Sequence, residues 1–346
     1  MLHLILVFFA QKNPFWDRAE YSPGWGKPGN QGEGLADYPT DATRDVLPIP
    51  CHSHNDYWRR IPLFDALHWG CSSVEADVWQ VKGNEDLLVG HSKSSLTRSR
   101  TFTSLYINPL VELLDSMNPK TEFANATGHG VFDEDPEQTL VLLVDFKTNG
   151  KKLFPIVQQQ LQPLRERDYL SYWNGEDFIS RAITVVGTGE TPFDMIIANS
   201  TYRDIFFDAP IDELYEASSN STYQPRPARL RTRGQGKSGT GIVTSPDSFN
   251  SSNSYYASTS FAHSIGIPYG SLSSRQLDLL QGQIRGAHKR GLKARYWETP
   301  AWPTSLRNHL WELLVREGAD VINADDLRAV TNFDWRQNVG HHWIDA

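Results

Sequence analysis

The chain has 346 residues and a formal net charge of −8, and 39% of its residues are hydrophobic. This length and apolar content suit one large α/β domain. The negative charge argues against nucleic acid as the main partner, because phosphate backbones recruit basic surfaces. The two cysteines exclude a disulfide-rich scaffold and a cysteine zinc site.

Residues 1–45 lack periodicity and predict a leader. Its apolar start, LHLILVFFA, is too short to span a bilayer and lacks a basic flank. This start fits either the remnant of a signal or anchor, or a buried strand. Four glycosylation sequons favour a secretory or membrane-associated location over a cytoplasmic one. They are Asn125, Asn199, Asn220 and Asn250.

Residues 46–330 alternate between strand and helix patterns, and residues 331–346 form a tail. The predicted strands are VLPIPCH, SVEADVW, TLVLLVDFK, ITVVGTG, DIFFDAP, SYYASTSF, LKARYWETP and ADVINADDL. Eight strands alternating with helices predict a TIM (β/α)₈ barrel. A doubly wound open sheet is the alternative, but no Gly-rich phosphate loop follows any strand.

Residues 221–254 interrupt this alternation with a Ser-, Gly- and Pro-rich stretch that also carries five basic residues. One interpretation is a flexible, solvated insertion. The other is a basic flap that recruits anionic lipid or phosphate.

Three carboxylates in apolar strands indicate a metal site. Glu75 and Asp77 are two residues apart in SVEADVW, so both point to the same face of the strand. Asp145 interrupts the apolar run VLLVDFK, where a lone carboxylate would be costly. One divalent cation, Mg²⁺ or Ca²⁺, shared by all three resolves both problems. The alternatives are a solvated strand face for the first two and an Asp145–Lys147 pair for the third.

Polar groups at the carboxyl ends of the strands predict the chemistry. His54 and His91 form a candidate acid/base pair, because histidine titrates near neutrality. Lys147 and Arg295 are candidates to hold the phosphate oxygens of a phosphodiester or phospholipid substrate. Trp297 alternates with Arg295 onto one strand face, which we expect to line the substrate pocket.

The motifs HNDY, EAD, the downstream GH and VDFKT resemble the phospholipase-C-like phosphodiesterase superfamily. The longer run CHSHNDYWRRIPLFDAL, with GCSSVEADVW, FFDAP and ARYWETP, looks closest to the fungal altered inheritance of mitochondria protein 6 family. The superfamily resemblance implies a TIM barrel with two catalytic histidines and a Mg²⁺ or Ca²⁺ held by acidic residues. The glycerophosphodiesterase HRG motif with its ENT partner is absent, so that substrate is not implied.

The resemblance assigns roles residue by residue. The matching positions are His54 and His91 for the catalytic histidines, Glu75, Asp77 and Asp145 for the acidic ligands, Asn55 for an asparagine in the metal shell, Lys147 for the nearby lysine and Trp297 for a pocket tryptophan. The function predicted is a metal-dependent phosphoric diester hydrolase acting on a glycerophosphodiester or a phospholipid headgroup.

Two other functions remain open. His52-Ser-His54 also fits the His-x-His of amidohydrolase-like or PHP-type metal hydrolases, in which both histidines bind metal. A non-catalytic barrel that binds a phosphate ligand is the third reading. We expect a monomer with a membrane-surface contact. We also expect free thiols at Cys51 and Cys71, predicted to lie roughly 12–18 Å apart.

Overall fold

The computed structural model describes residues 43–123, 128–218, 244–268, 270–333 and 335. The predicted leader up to residue 42, residues 221–243 of the predicted insertion and most of the tail lie outside these ranges. No helix within the described ranges is long and apolar enough to cross a membrane.

The strands follow the predicted order. They are β1 (Ile49–Ser53), β2 (Cys71–Trp79), β3 (Leu88–Val89), β4 (Leu140–Phe146), β5 (Tyr172–Trp173), β6 (Phe178–Ile179), β7 (Ile183–Gly189), β8 (Ile205–Pro210), β9 (Ser254–Ser260), β10 (Lys293–Trp297) and β11 (Val321–Ala324).

The α-helices of the described chain lie between these strands, except for the last, which follows β11. They are α1 (Phe64–His68), α2 (Asn108–Met117), α3 (Gly150–Gln160), α4 (Gln162–Arg165), α5 (Phe193–Ile196), α6 (Phe261–Ser264), α7 (Ser274–Lys289), α8 (Thr304–Glu317) and α9 (Leu327–Thr331). A π-helix, Thr103–Ile107, leads into α2, and 3₁₀ turns occur at Asp56–Trp58, Lys93–Ser95, Ile211–Glu213 and Pro246–Ser248.

Eight parallel strands close into a barrel. Their order around the barrel is β1, β2, β4, β7, β8, β9, β10 and β11, and β1 pairs with both β2 and β11. The short β3 adds to β2 as an antiparallel strand, and β5 with β6 forms a separate hairpin. Because β1 has a barrel neighbour on each side, the open-sheet alternative is excluded, and the predicted (β/α)₈ barrel is confirmed.

The core has two parts. A large apolar cluster lies between the strands and the surrounding helices, and a smaller one fills the inside of the barrel. The inner cluster consists of Val141, Leu143, Val186, Tyr256 and Val321. Leu143 precedes Asp145 by two residues on the same face of β4. The inner polar groups therefore lie nearer the carboxyl ends of the strands, where barrel active sites are built.

The prediction that Cys51 and Cys71 are free thiols is wrong, because the structure joins them in a disulfide with Cα atoms 4.7 Å apart. The prediction placed the two residues at opposite ends of neighbouring strands. In the structure Ile49 at the start of β1 aligns with Cys71, and the register is irregular between Ile49 and His52. Cys51 is therefore only about two residues beyond the level of Cys71, and both side chains point into the apolar layer outside the strands.

Candidate metal and acid–base site

The three predicted carboxylates converge at one place. Oxygen atoms of Glu75, Asp77 and Asp145 all lie within 4.8 Å of one another, and all three residues are buried. The strand register explains this, since Asp77 on β2 is aligned with Asp145 on β4 and Glu75 is two residues earlier on the same face. In the described part of the chain, no other group of His, Cys, Asp and Glu side chains has this geometry.

Lys147 lies against two of these carboxylates. Its Nζ donates to Asp145 Oδ2 at 2.7 Å and lies 2.9 Å from Asp77 Oδ2. Burial opposes the charged ammonium, but both carboxylates outweigh burial and raise the pKa of Lys147. Lys147 is therefore cationic in the site, and the predicted Asp145–Lys147 pair is present as well as the carboxylate cluster.

One lysine does not neutralise three carboxylates. Burial, followed by the negative charges of Asp145 and Glu75, raises the pKa of Asp77 well above its usual range. Burial also raises the pKa of Asp145, against the opposing effect of Lys147. Oδ1 of Asp77 is buried and has no hydrogen-bond partner. The cluster thus has unsatisfied negative charge and an unsatisfied acceptor.

The donor set fits a hard divalent cation. Mg²⁺ and Ca²⁺ take carboxylate oxygens as ligands, and the spacing of these oxygens lets one ion contact all three residues. A cation there would satisfy Asp77 Oδ1 and stabilise the ionised form of a carboxyl whose pKa is otherwise raised.

Asn55 and Tyr57 tie the loop after β1 to the cluster. Asn55 adopts a left-handed conformation with φ of 48°, a region that asparagine tolerates better than most residues. Its backbone N–H donates to Glu75 Oε2 at 2.8 Å. The Tyr57 hydroxyl donates to Asp77 Oδ2 at 2.7 Å and also contacts Asn55 Oδ1. The Asn55 side chain therefore lies next to the cluster, and its role as a ligand stays a prediction.

His54 forms a dyad with a carboxylate from the other end of the chain. Its Nδ1 is 2.8 Å from Asp325 Oδ1, just after β11, and its Nε2 is 3.9 Å from Glu75 Oε2. Burial lowers the pKa of His54, but the hydrogen bond to Asp325 and the charge of Glu75 outweigh burial and raise it. Asp325 holds Nδ1 and fixes the orientation of the ring, and Nε2, 3.3 Å from Asn55 Nδ2, is the nitrogen that faces the cluster for proton transfer.

His91 lies on the other side of the cluster. Its Nδ1 is 3.7 Å from Asp77 Oδ2 and 3.2 Å from the Tyr57 hydroxyl, and its side chain is 53% exposed. The indole of Trp58 contacts the imidazole, with ring centroids 4.9 Å apart. His91 is therefore positioned by its neighbours yet open to solvent, as a group that exchanges protons must be.

A second polar layer lies inside the barrel around His52. Nδ1 of His52 is 2.7 Å from Ser73 Oγ, and its Nε2 is 3.3 Å from Arg295 Nη2. Since a guanidinium can only donate, Nε2 accepts and Nδ1 carries the proton. Burial and the charge of Arg295 lower the pKa of His52 to about 3, so the ring is neutral. Both ring nitrogens of His52 are therefore hydrogen-bonded to side chains of the protein, Ser73 and Arg295.

Arg295 is fully buried in this layer, where it donates to Asn323 and Ser258. Its predicted contact with substrate phosphate stays a prediction. Trp297, two residues on, is only partly buried, and its Nε1 donor is buried without a hydrogen-bond partner. An unpaired indole N–H suits a pocket residue, although its contact with substrate is also untested.

Comparisons with known proteins identify the family. Residues 40–208 match the family model described as AIM6-like phosphodiesterase domain. An altered inheritance of mitochondria protein 6 homolog from Arthroderma benhamiae is 41% identical over 86% of this chain and 87% of its own length. The chain belongs to the altered inheritance of mitochondria protein 6 family. The resemblance noted in the sequence is therefore confirmed.

Other members of the altered inheritance of mitochondria protein 6 family match over similar spans. The Eremothecium gossypii protein is 35% identical over 84% of this chain and 71% of its own length. The Saccharomyces cerevisiae S288c protein is 32% identical over 82% of this chain and 70% of its own length. A crystal structure of a glycerophosphodiester phosphodiesterase from Parabacteroides distasonis has a TM-score of 0.40 and 10% identity, covering 83% of this chain and 98% of that chain.

Tyr57 and Arg59 at this site, like Asp325, were not assigned roles from the sequence. Tyr57 belongs to the HNDY motif, and only its contacts reveal that it links Asn55, Asp77 and His91. Arg59, in the following WRR, donates to the backbone carbonyls of His54 and Asp325. Their position directly after the first strand was the available signal, but nothing in the sequence gave their partners.

Proposed function

We propose that this protein is a metal-dependent phosphoric diester hydrolase acting on a glycerophosphodiester or a phospholipid headgroup. One observation carries the proposal. The two solvent-accessible imidazoles beside the carboxylate cluster flank it, with His54 3.9 Å from Glu75 and His91 3.7 Å from Asp77. A third imidazole, His52, is 3.7 Å from Glu75 but fully buried. Phosphodiester cleavage needs this arrangement, because one group must accept a proton and another must supply one near a site that binds phosphate.

His54 serves as the general base. Asp325 occupies Nδ1, so Nε2 accepts the proton of the attacking hydroxyl, from water or from the substrate itself, and Asp325 stabilises the imidazolium that results. The oxygen then forms a bond to phosphorus while the bond to the leaving alkoxide breaks.

His91 serves as the general acid. Its exposed ring gives a proton to the leaving alkoxide and regains one from solvent. Glu75, Asp77 and Asp145 would hold Mg²⁺ or Ca²⁺, and Lys147 remains bound to the latter two carboxylates. When bound, the cation neutralises phosphate charge and lowers the pKa of the nucleophile.

The amidohydrolase-like alternative has less support. It requires His52 and His54 as metal ligands. Although His52 Nε2 is 3.7 Å from Glu75 Oε2, the Nδ1 of His52 is hydrogen-bonded to Ser73 and its Nε2 to Arg295. Only experiment distinguishes our proposal from a non-catalytic barrel that binds a phosphate ligand.

The test combines metal binding with turnover. Mg²⁺ or Ca²⁺ should raise the melting temperature of the wild-type chain, and a chelator should abolish hydrolysis of bis(p-nitrophenyl) phosphate. Asp77→Asn should lose both responses. Asp194→Asn is the control, because Asp194 pairs with Lys151 away from the cluster. No metal-dependent stabilisation, together with no hydrolysis, would reject the proposal. Metal binding without hydrolysis of any phosphodiester would favour the non-catalytic barrel.

A further inference from the structure

Two of the glycosylation sequons lie in the described part of the chain, and both of their asparagines are exposed. Asn199 begins Asn-Ser-Thr shortly after α5, and Asn250 begins Asn-Ser-Ser shortly before β9. The sequons at Asn125 and Asn220 lie outside the described residues. A sequon can carry a glycan only where its asparagine faces solvent on a surface loop. Asn199 and Asn250 meet this requirement.

Both side chains use the oxygen of the amide in a local turn. Asn199 Oδ1 accepts from the backbone N–H groups of Thr201 and Tyr202, and from the Thr201 hydroxyl at 3.0 Å. Asn250 Oδ1 accepts from the Ser252 N–H at 2.9 Å. Among the described residues, no acceptor is bonded to Nδ2 of either asparagine. Nδ2 is the atom to which an N-linked glycan is attached, and it is available at both positions.

Other asparagines of the chain hold their amide nitrogen differently. Asn118 Nδ2 donates to two backbone carbonyls, and Asn253 Nδ2 donates to one. Both of these side chains are buried and fix loops with the nitrogen. An available Nδ2 is therefore not a general property of asparagine in this fold, and Asn199 and Asn250 combine it with exposure.

The two sequon loops are neighbours in space. Arg203 donates from Nε and Nη2 to the backbone carbonyl of Asn199, and from Nη1 to that of Ser252 at 2.6 Å. The loops lead into β8 and β9, which pair side by side in the barrel. We call the surface formed by residues 199–203 and 250–252 the sequon face.

The sequon face lies at the end of the barrel opposite the candidate site. Both of its loops precede their strands, whereas His54 and Asp325 directly follow β1 and β11. β8 has 6 residues and β9 has 7, so at ~3.3 Å per residue the two ends are roughly 20 Å apart along these strands. A bulky, hydrated oligosaccharide on the sequon face therefore leaves the entrance to the site open.

The disulfide between Cys51 and Cys71 is an independent indication of the compartment. Disulfides form in oxidising compartments such as the lumen of the endoplasmic reticulum and are rare in the reducing cytosol. Asparagine-linked glycans are added to sequons of proteins that enter the secretory route. The bond and the exposed sequons therefore point to the same place of maturation.

We propose that Asn199 and Asn250 carry N-linked oligosaccharides, added in the oxidising compartment in which the Cys51–Cys71 bond forms. In the transfer, Nδ2 bonds to C1 of a sugar carried on a lipid diphosphate and gives up one proton. The bond between C1 and the diphosphate oxygen breaks, and the lipid diphosphate leaves with the bonding electrons. The modification is independent of the proposed hydrolase function, because it rests on the surface amides and the disulfide alone.

The test uses the natural gene product, purified from the organism that makes it. Peptide-N-glycosidase releases the glycan and converts the asparagine that carried it into aspartate, which mass spectrometry of peptides detects. We expect this conversion at residues 199 and 250 in the treated sample only. Unmodified asparagine at either position overturns the proposal for that position. Aspartate that also appears without the enzyme is spontaneous deamidation and overturns it as well.

Matched variants made in the same organism separate the sequon from the loop. Thr201→Ala and Ser252→Ala remove the hydroxyl that the sequon requires, so each should lose one glycan and migrate faster in electrophoresis. Thr201→Ser and Ser252→Thr keep a sequon and should remain glycosylated. A glycan that persists in its alanine variant overturns the assignment of that glycan. The wild-type peptides decide the proposal even where a variant does not fold.

Discussion

His54 Nδ1 and Asp325 Oδ1 are 2.8 Å apart although 271 residues separate them in the chain. The contact exists because β1 and β11 are neighbours in the closed barrel, with Ser53 aligned to Ala324. Each of the two strands ends one residue before its member of the dyad. Closing the barrel therefore brings the candidate base together with the carboxylate that orients it.

Replacing Asp325 with asparagine should slow hydrolysis by about 10²-fold. Asp325 raises the pKa of His54, so loss of its charge should lower that pKa and move the His54 limb of the kcat/KM pH profile to lower pH. Asp326→Asn is the matched control, because the neighbouring side chain caps α9. An unchanged pH profile in Asp325→Asn would show that the dyad does not tune the base.

Arg59→Lys should lower both stability and kcat. The guanidinium donates to the carbonyls of His54, Ala324 and Asp325, and an ammonium cannot reach all three. We expect a loss of about 1–2 kcal/mol in the free energy of unfolding and a lower kcat with an unchanged KM. Arg60→Lys, at the adjacent exposed position, is the control. Full activity in Arg59→Lys would show that the loop holds its geometry without this clamp.

His91→Ala and His52→Ala should have different effects. The first should reduce activity, and the second should reduce stability. His91 is 53% exposed, so its loss should reduce hydrolysis by about 10²–10⁴-fold with little change in melting temperature. His52 is fully buried, and its removal takes one hydrogen bond from Ser73 Oγ and one from Arg295 Nη2. We expect His52→Ala to cost about 1–3 kcal/mol of stability. Metal loss in His52→Ala with retained activity in His91→Ala would instead favour the amidohydrolase-like reading.

Reduction of the Cys51–Cys71 disulfide should lower the melting temperature. The bond joins residues 20 apart in sequence, and closing a loop of this size contributes about 3 kcal/mol by limiting the unfolded chain. Alkylation of the denatured chain before and after reduction, followed by mass measurement, shows whether the bond is present. Two alkylated cysteines without reductant would contradict the structure.

His288 should contribute stability that depends on pH. Its Nε2 is 2.7 Å from Asp320 Oδ2, and this hydrogen bond raises the pKa of His288 above 6.5 despite burial. The stabilisation is therefore full below the unfolded pKa and is lost as pH rises through the folded pKa. The free energy of unfolding of wild type should exceed that of His288→Gln by more at about pH 6 than at about pH 8.5. An equal difference at both pH values would show that the His288–Asp320 pair is too solvated to contribute to the pH dependence of stability.

The sequence alone determined the features that depend on local pattern. Alternation of apolar strands and helices identified all eight barrel strands, because burial on both faces leaves a continuous apolar run. The two-residue spacing of Glu75 and Asp77 fixed their common face, and the cost of burying Asp145 predicted that it joins them. Each inference needed only a short stretch of chain and the physics of burying charge.

Tertiary structure decided what depends on register and barrel closure. The pairing of Ile49 with Cys71 brought Cys51 within reach of Cys71, which strand lengths alone did not predict. Closure placed Asp325 beside His54, and the position of Arg295 on β10 buried its guanidinium inside the barrel. These contacts join residues far apart in sequence, and no local periodicity specifies which strand ends meet or at what level.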